Sequence, residues 1–172
     1  MTVWQRLLVA AMPGKESRIK YIYKHKIFRE IGKDCIFAPR ILPQEPEYIK
    51  LHDNVVVAAR VTFITHDIIH KMLSRRYGGK LRYYHGCIEV GNNVFIGSNS
   101  TILPDVKIED DCVIAAGSVV TKDLPAGGVY AGVPAKRIGD TDKLYASRKK
   151  ESSKMRYDPD SCWEKFDRDR SL

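Results

Sequence analysis

The sequence predicts a mainly β protein, wound as a parallel β-helix from short strands, and three observations carry that reading. Residues 90–125 form six consecutive six-residue blocks without an insertion, and an aliphatic residue opens each (Val90, Ile96, Ile102, Ile108, Ile114, Val120). A small or apolar residue recurs four places later (Val94, Ser100, Val106, Cys112, Ser118, Leu124). The position before that one holds Asn93, Asn99, Asp105, Asp111, Gly117 and Asp123, the residue types that tolerate positive φ. Helical periodicity and strand alternation give no six-residue repeat, whereas short strands joined by regular corners do. One aliphatic residue per block then points inward, three blocks close a triangular coil, and stacked coils pair at about 4.8 Å.

From the N-terminus, residues 3–12 place Trp4, Leu7, Leu8 and Ala11 on one face of a short amphipathic helix, ended by Pro13 and Gly14. A second helix carries Ile19, Ile22, Tyr23 and Lys26 and runs to Arg29. Residues 1–30 are expected to cap the exposed strand edges at one end of the solenoid. Ile31 restarts the register, residues 43–48 are an inserted loop, and the blocks resume at Leu51, with Asn54, Arg60 and His66 at corner positions. Eleven blocks, opening at 31, 37, 51, 57, 63, 90, 96, 102, 108, 114 and 120, imply a little under four coils and a closing turn.

Within residues 69–86 the register is lost. That stretch carries Arg75, Arg76, Lys80 and Arg82 with Tyr77, Tyr83 and Tyr84 around Gly78-Gly79, and an insertion of this length reads as a functional loop extruded from the body. After Pro125, residues 129–136 form the closing coil, so the body spans 31–138. A helix capped by Thr141 or Asp142 and reaching about Met155 opens a C-terminal segment, 139–172.

A chain of 172 residues, 44% hydrophobic and 29% charged, suits one soluble domain with a core of its own. It has no stretch long enough for a membrane span, and Leu7–Met12 is too short an apolar run for a secretory leader. Cys35, Cys87, Cys112 and Cys162 form no CxxC pair; Cys35 and Cys112 share the repeat position that wants a small buried residue and read as core thiols of a reducing cytoplasm, neither disulfides nor zinc ligands. The net charge of +8 falls on no nucleic-acid-binding motif, which argues against such a partner; an anionic cofactor or a membrane-associated acceptor would use the same field.

Three runs carry a resemblance: Val94-Phe95-Ile96-Gly97-Ser98, Ile114 to Asp123 (IAAGSVVTKD), and Ala131-Gly132-Val133-Pro134-Ala135. In these the chain resembles the hexapeptide-repeat acyltransferases, and among them the maltose and galactoside O-acetyltransferases and the xenobiotic acetyltransferases. The resemblance implies a left-handed β-helix, against the usual right-handed rule for parallel crossovers. It further implies a homotrimer with acetyl-CoA bound between subunits. Phe95 stands where the family commonly has tryptophan, and Gly139 where it often has arginine, with Arg137 as the substitute.

Acetyl transfer to a hydroxyl needs a base for the alcohol proton. The resemblance places the catalytic histidine just before the extruded loop, which is His66, and the His66-Asp67 pair is similar to that of serine acetyltransferases. For the cofactor it implies Gly97, Ser98, Ala116, Thr121 and Lys122, with Lys136 and Arg137 toward the phosphates. Asn54, Tyr83 and His85 are candidates for holding the acceptor, expected to be a saccharide. No serine or cysteine nucleophile is evident, so transfer is expected to be direct. The alternatives are a metal-dependent protein like the gamma-class carbonic anhydrases, with His66, His70 and His85 as ligands, and an N-acetyltransferase acting on an amino sugar. A non-catalytic scaffold is disfavoured by the retained histidine, and serine acetyltransferase itself by the lack of its long helical N-terminal domain.

Overall fold

The structure, a computed structural model, describes residues 2–152 and 158–170. These divide into two compact units, with the boundary between Thr141 and Asp142. The larger unit opens with helices α1 (Val3–Ala11) and α2 (Lys15–His25). Strands β1 (Glu30–Ile31), β2 (Ile36–Phe37), β3 (Ile49–Leu51), β4 (Val56–Val57), β5 (Thr62–Phe63) and β6 (His66–Asp67) follow. Helix α3 (Ile69–Tyr77) and strand β7 (Tyr84–His85) interrupt the series. It continues with β8 (Ile88–Val90), β9 (Phe95–Ile96), β10 (Thr101–Ile102), β11 (Val106–Ile108), β12 (Val113–Ile114), β13 (Val119–Val120), β14 (Gly128–Ala131) and β15 (Lys136–Asp140).

Three sheets of parallel strands share all of these but β6 and β7, which form a two-stranded antiparallel sheet of their own. The four-stranded sheet runs β1-β3-β8-β11, the three-stranded sheet β13-β10-β5, and the six-stranded sheet β15-β14-β12-β9-β4-β2, with β15 antiparallel at its edge. Successive strands enter different sheets in rotation. Ile88 pairs with Val106, Phe95 with Val113 and Thr101 with Val119, in each case 18 residues on, which is three six-residue blocks. The inward residues Leu51, Val57, Val90, Ile96, Ile102, Ile108, Ile114 and Val120 are all buried, so the apolar driving force lies along one column per sheet.

Left-handed backbone marks the corners at Asp34, Asn54, Arg60, Asn93, Asn99, Asp105, Asp111 and Gly117. Side-chain amides and carboxylates stack between coils there: Nδ2 of Asn54 donates to Oδ1 of Asn93 at 3.0 Å, and Nδ2 of Asn93 to Oδ1 of Asp111 at 2.9 Å. Two expected corners differ. Asp123 is not among the positive-φ residues, and its carboxylate accepts the Lys107 N–H at 2.7 Å. His66 is no left-handed corner either, because its backbone pairs antiparallel with His85 as part of β6.

The orientation of α1 also differs from the amphipathic reading. Val9 is the buried residue of this helix, and Trp4, 81% exposed, faces outward with Val3, Leu7 and Leu8. What turns the helix is Arg6, whose guanidinium donates to the carbonyls of Leu42 (3.2 Å), Pro43 (3.0 Å) and Gln44. Helix α2 buries Ile22 and Arg18, and Arg18 donates to the carbonyls of Met12 (2.8 Å) and Ala38 (3.0 Å). It ends at His25, short of Arg29.

The segment expected as an extruded loop contains α3 and returns through β7, which pairs with β6. In the smaller unit, α4 (Thr141–Ser152) and α5 (Pro159–Arg168) are helical, and α5 is capped by Asp158 through the N–H groups of Asp160 and Ser161. The expected helix end at Met155 lies outside the described residues. All four cysteines are free; Cys35 and Cys112 are buried, as their repeat position requires, and Cys87 and Cys162 are exposed. Among the described residues no helix is long and apolar enough to cross a membrane.

Candidate active site

The loop of residues 42–48 sets the chemistry at His66. Pro43 and Pro46 remove backbone donors from this stretch, so β5 is left as the edge of the three-stranded sheet. Arg6 grips the loop's carbonyls, and a single 3-10 turn at Pro46–Tyr48 closes it. Between them Glu45 is directed at the first residue of β6. Its Oε2 accepts from Nδ1 of His66 at 2.7 Å and from Oγ1 of buried Thr65 at 2.8 Å. Its Oε1 lies 3.4 Å from Nε2 of His85. The side chains of His66 and Glu45 are 16% and 21% exposed.

Burial alone would raise the Glu45 pKa. The hydrogen bonds from Thr65 and His66, with the charges of His66 and His85, outweigh burial and hold the carboxyl below its usual range. An ionised carboxylate on Nδ1 keeps the ring proton there and leaves the lone pair of His66 on Nε2. That is the arrangement a general base requires.

Aromatic rings frame the pair. Tyr83 lies 5.3 Å from His66, 4.7 Å from His85 and 5.0 Å from His70, centroid to centroid, and Tyr48 stacks on His85 at 5.1 Å and 13°. Desolvation, with Glu45 and Asp67 nearby, raises the pKa of the Tyr83 phenol and so favours its protonated form. Asp67 does not touch the His66 ring; its carboxylate accepts the N–H of Ile69 at the start of α3, at 2.9 Å. A cleft of about 980 Å³ runs between residues 38–44 and 59–66, with Arg6, Arg40, Arg60 and His66 in its wall. Among the described residues no group of three or more His, Cys, Asp or Glu side chains is placed to hold a metal ion.

The other residues singled out from the sequence fall on different edges of the three-sheet stack. Asn54 is at the turn from the four- to the six-stranded sheet, away from His66 and within its own side-chain ladder. Gly97, Ser98 and Ala116 lie at the turn from the six- to the three-stranded sheet, and Thr121 and Lys122 at the turn back to the four-stranded one, the edge that His66 also occupies. Lys136 and Arg137 are on β15, where Nη2 of Arg137 is 2.5 Å from Oδ1 of Asp140. Thus Tyr83 and His85 join His66 in one cluster, whereas the cofactor candidates are divided between edges. Packing by itself demands glycine at position 97, because a Cβ there would come 2.4 Å from the backbone nitrogen of Ala116. Ser98 is half-buried, and Ala116, Thr121 and Lys122 are exposed.

Sequence reasoning missed Glu45, Thr65 and Arg6. Glu45 belongs to an insertion, and the only available signal was that insertions within a compact repeat are often functional.

A family model for bacterial transferase hexapeptide (six repeats) matches residues 87–122. YvoF of Bacillus subtilis (strain 168), assigned by name to the acetyltransferases, is 32% identical over 133 residues, covering 76% of this chain and 71% of that protein. The galactoside O-acetyltransferase of Escherichia coli K12 is 45% identical over 101 residues, covering 56% of this chain and 48% of the enzyme, so the chain spans about half of that relative. Among solved structures, a galactoside acetyltransferase in complex with coenzyme A superposes with a TM-score of 0.59 at 26% identity, covering 83% of this chain and 80% of that one.

Proposed function

The chain belongs to the hexapeptide-repeat acetyltransferases, and from that premise we propose a cytoplasmic, trimeric O-acetyltransferase with a left-handed β-helical body, in which His66 is the general base. The acyl donor is acetyl-CoA, in keeping with the coenzyme A bound by the galactoside enzyme. The acceptor is a hydroxyl of a sugar or a related small molecule. The observation that carries this reading is the 2.7 Å hydrogen bond from His66 Nδ1 to Glu45, which leaves Nε2 free to take a proton.

Bound acetyl-CoA supplies an activated thioester. Nε2 of His66 would take the hydroxyl proton as the acceptor oxygen attacks the thioester carbonyl; the C–S bond breaks, the imidazolium returns its proton to the departing CoA sulfur, and Glu45 holds the ring and stabilises the imidazolium in between. Tyr83 and His85 pack beside the ring and limit the poses open to the acceptor. Ser98, Ala116, Thr121 and Lys122 would hold the cofactor, with Lys136 and Arg137 toward its phosphates.

Two features support assembly into a trimer. Ile36, Val56, Phe95, Val113 and Val129 align by register on the outer face of the six-stranded sheet as an apolar column, and Phe95 is 41% exposed. The corresponding column of the four-stranded sheet is Glu30, Lys50, Glu89 and Lys107, a face suited to water. The division of the cofactor residues between two edges is the second feature, since a site between copies would unite the His66 edge of one with the Gly97–Ala116 edge of the next. CoA release from acetyl-CoA across sugars, glycosides, nucleotide sugars and hydroxylated antibiotics tests the activity, and a lack of acceptor-dependent release would refute it.

A further inference from the structure

We propose that the cleft beside β5 selects an acceptor bearing a phosphate group, held by Arg60 and Arg40 while the reacting hydroxyl lies at His66. This rests on the acetyl-transfer reading and extends it to the class of acceptor. Three arginines and no acidic side chain line the cleft. They differ in how far they are committed. Arg6 is taken up by three loop carbonyls. Arg40 gives one nitrogen to the carbonyl of Ala10 at 3.3 Å. Arg60 is exposed at the corner between β4 and β5.

Backbone conformation singles out Arg60. It holds φ +60°, and the other left-handed corners of the coils are Asp34, Asn54, Asn93, Asn99, Asp105, Asp111 and Gly117. A long cationic side chain with no local hydrogen bond to compensate for that conformation is placed where asparagine or glycine would fit without strain, and such outliers mark functional positions. The guanidinium there presents a planar fork of donors to the cleft, the geometry that matches phosphate oxygens.

The edge of β5 adds a polar rail. Thr62 and Ile64 donate to β10 and its flank, through the carbonyls of Ser100 and Ile102 at 2.9 Å each. By the alternation of a parallel ladder, the N–H and C=O groups of Val61 and Phe63 point to the opposite side, toward the cleft. Arg60 and His66 stand at the two ends of this rail, six residues or at most about 20 Å apart. A volume of about 980 Å³ is at the upper end for small-molecule sites, which run from about 300 to 1,000 Å³. Length, polarity and charge together fit a sugar extended by phosphate or diphosphate better than a free monosaccharide.

Calorimetric titration of the intact protein with inorganic pyrophosphate tests the site directly, in the native protein and in Arg60→Asn, Arg40→Gln and Arg76→Gln. Asparagine suits the left-handed corner, so Arg60→Asn is expected to fold, and Arg76→Gln alters a cation outside the cleft. The two cleft variants should weaken pyrophosphate binding at least tenfold, and Arg76→Gln less than twofold. Equal losses in all three, or none, overturn the proposal. Titration with CoA on the same proteins separates the two phosphate sources: its Kd should stay within twofold, and a parallel loss would assign the arginines to the acyl donor and overturn the proposal. For an acceptor found in the panel above, Arg60→Asn should raise KM at least tenfold with kcat within threefold, and an unchanged KM overturns it. The titrations need no turnover, so failure of acetyl transfer and failure of the phosphate site are read separately.

Discussion

Glu45 and His66 are 21 residues apart in the chain, yet the carboxylate of one and Nδ1 of the other are 2.7 Å apart. The bond joins an inserted loop to the strand leaving the three-stranded sheet, and it fixes which nitrogen of the histidine can act as a base. Glu45→Gln keeps the shape and removes the charge. A hydrogen bond to a charged group is worth about 1.5–3 kcal/mol, so kcat should fall roughly 10- to 150-fold with the acceptor KM little changed. Steady-state kinetics on the two proteins would check this, and a change confined to KM would speak against an orienting role.

The same carboxylate has a pH signature. Its pKa is depressed in the folded protein, so its contribution to stability is complete above the ordinary carboxylate value near 4.5 and is lost as pH falls through the lower folded value. Urea melts of native protein and Glu45→Gln should therefore show a stability gap near neutral pH that closes below about pH 4.5. A gap independent of pH would mean that the carboxylate is not held by charge and hydrogen bonding.

Arg60 carries a conformational cost that asparagine would relieve. The left-handed region costs an ordinary L-residue about 1–2 kcal/mol, and Arg60→Asn should recover roughly 1 kcal/mol, about 2–4 °C in Tm. Thermal melts would detect the rise, and no gain would show that the corner is not strained.

Gly97 separates packing from ligand binding. A Cβ at this position would meet backbone of the next coil, which cannot swing aside, so Gly97→Ala should destabilise by about 1–3 kcal/mol. Denaturant melts with and without saturating CoA check it: the loss should appear in both, and a loss seen only with CoA would assign the glycine to the cofactor.

The outer column of the six-stranded sheet predicts the oligomer. In the trimer proposed above, Phe95→Asp would put a charge on this apolar column where copies meet, and the mass by light scattering should fall from trimer to monomer. An unchanged trimer would move the interface to another face.

Much of this body was legible because each six-residue block repeats one physical demand: an aliphatic residue inside and a residue tolerant of positive φ at the corner. Asn93, Asn99, Asp105, Asp111 and Gly117 answer that demand in the structure. Asp123 meets the pattern by type but serves the Lys107 N–H instead. The face α1 turns to the body is not legible, because periodicity shows that a helix is amphipathic without showing which side meets the body; Arg6 and its three carbonyls mark that side. Tyr83 and His85 were identifiable as neighbours of His66 by their place in the extruded segment. Glu45 was not, because a carboxylate in a proline-rich insertion has no register, and its direction depends on contacts made by Arg6 from the far side of the loop.

Acceptor-dependent CoA release by native protein and by His66→Ala, both shown to be folded and of equal mass, bears most directly on the assignment of the base. A positioned general base contributes roughly 100- to 10,000-fold, so turnover in the variant should drop by that factor while CoA binding is retained. A folded, trimeric His66→Ala protein with native turnover would contradict the assignment and leave the Glu45–His66 pair as a structural tie alone.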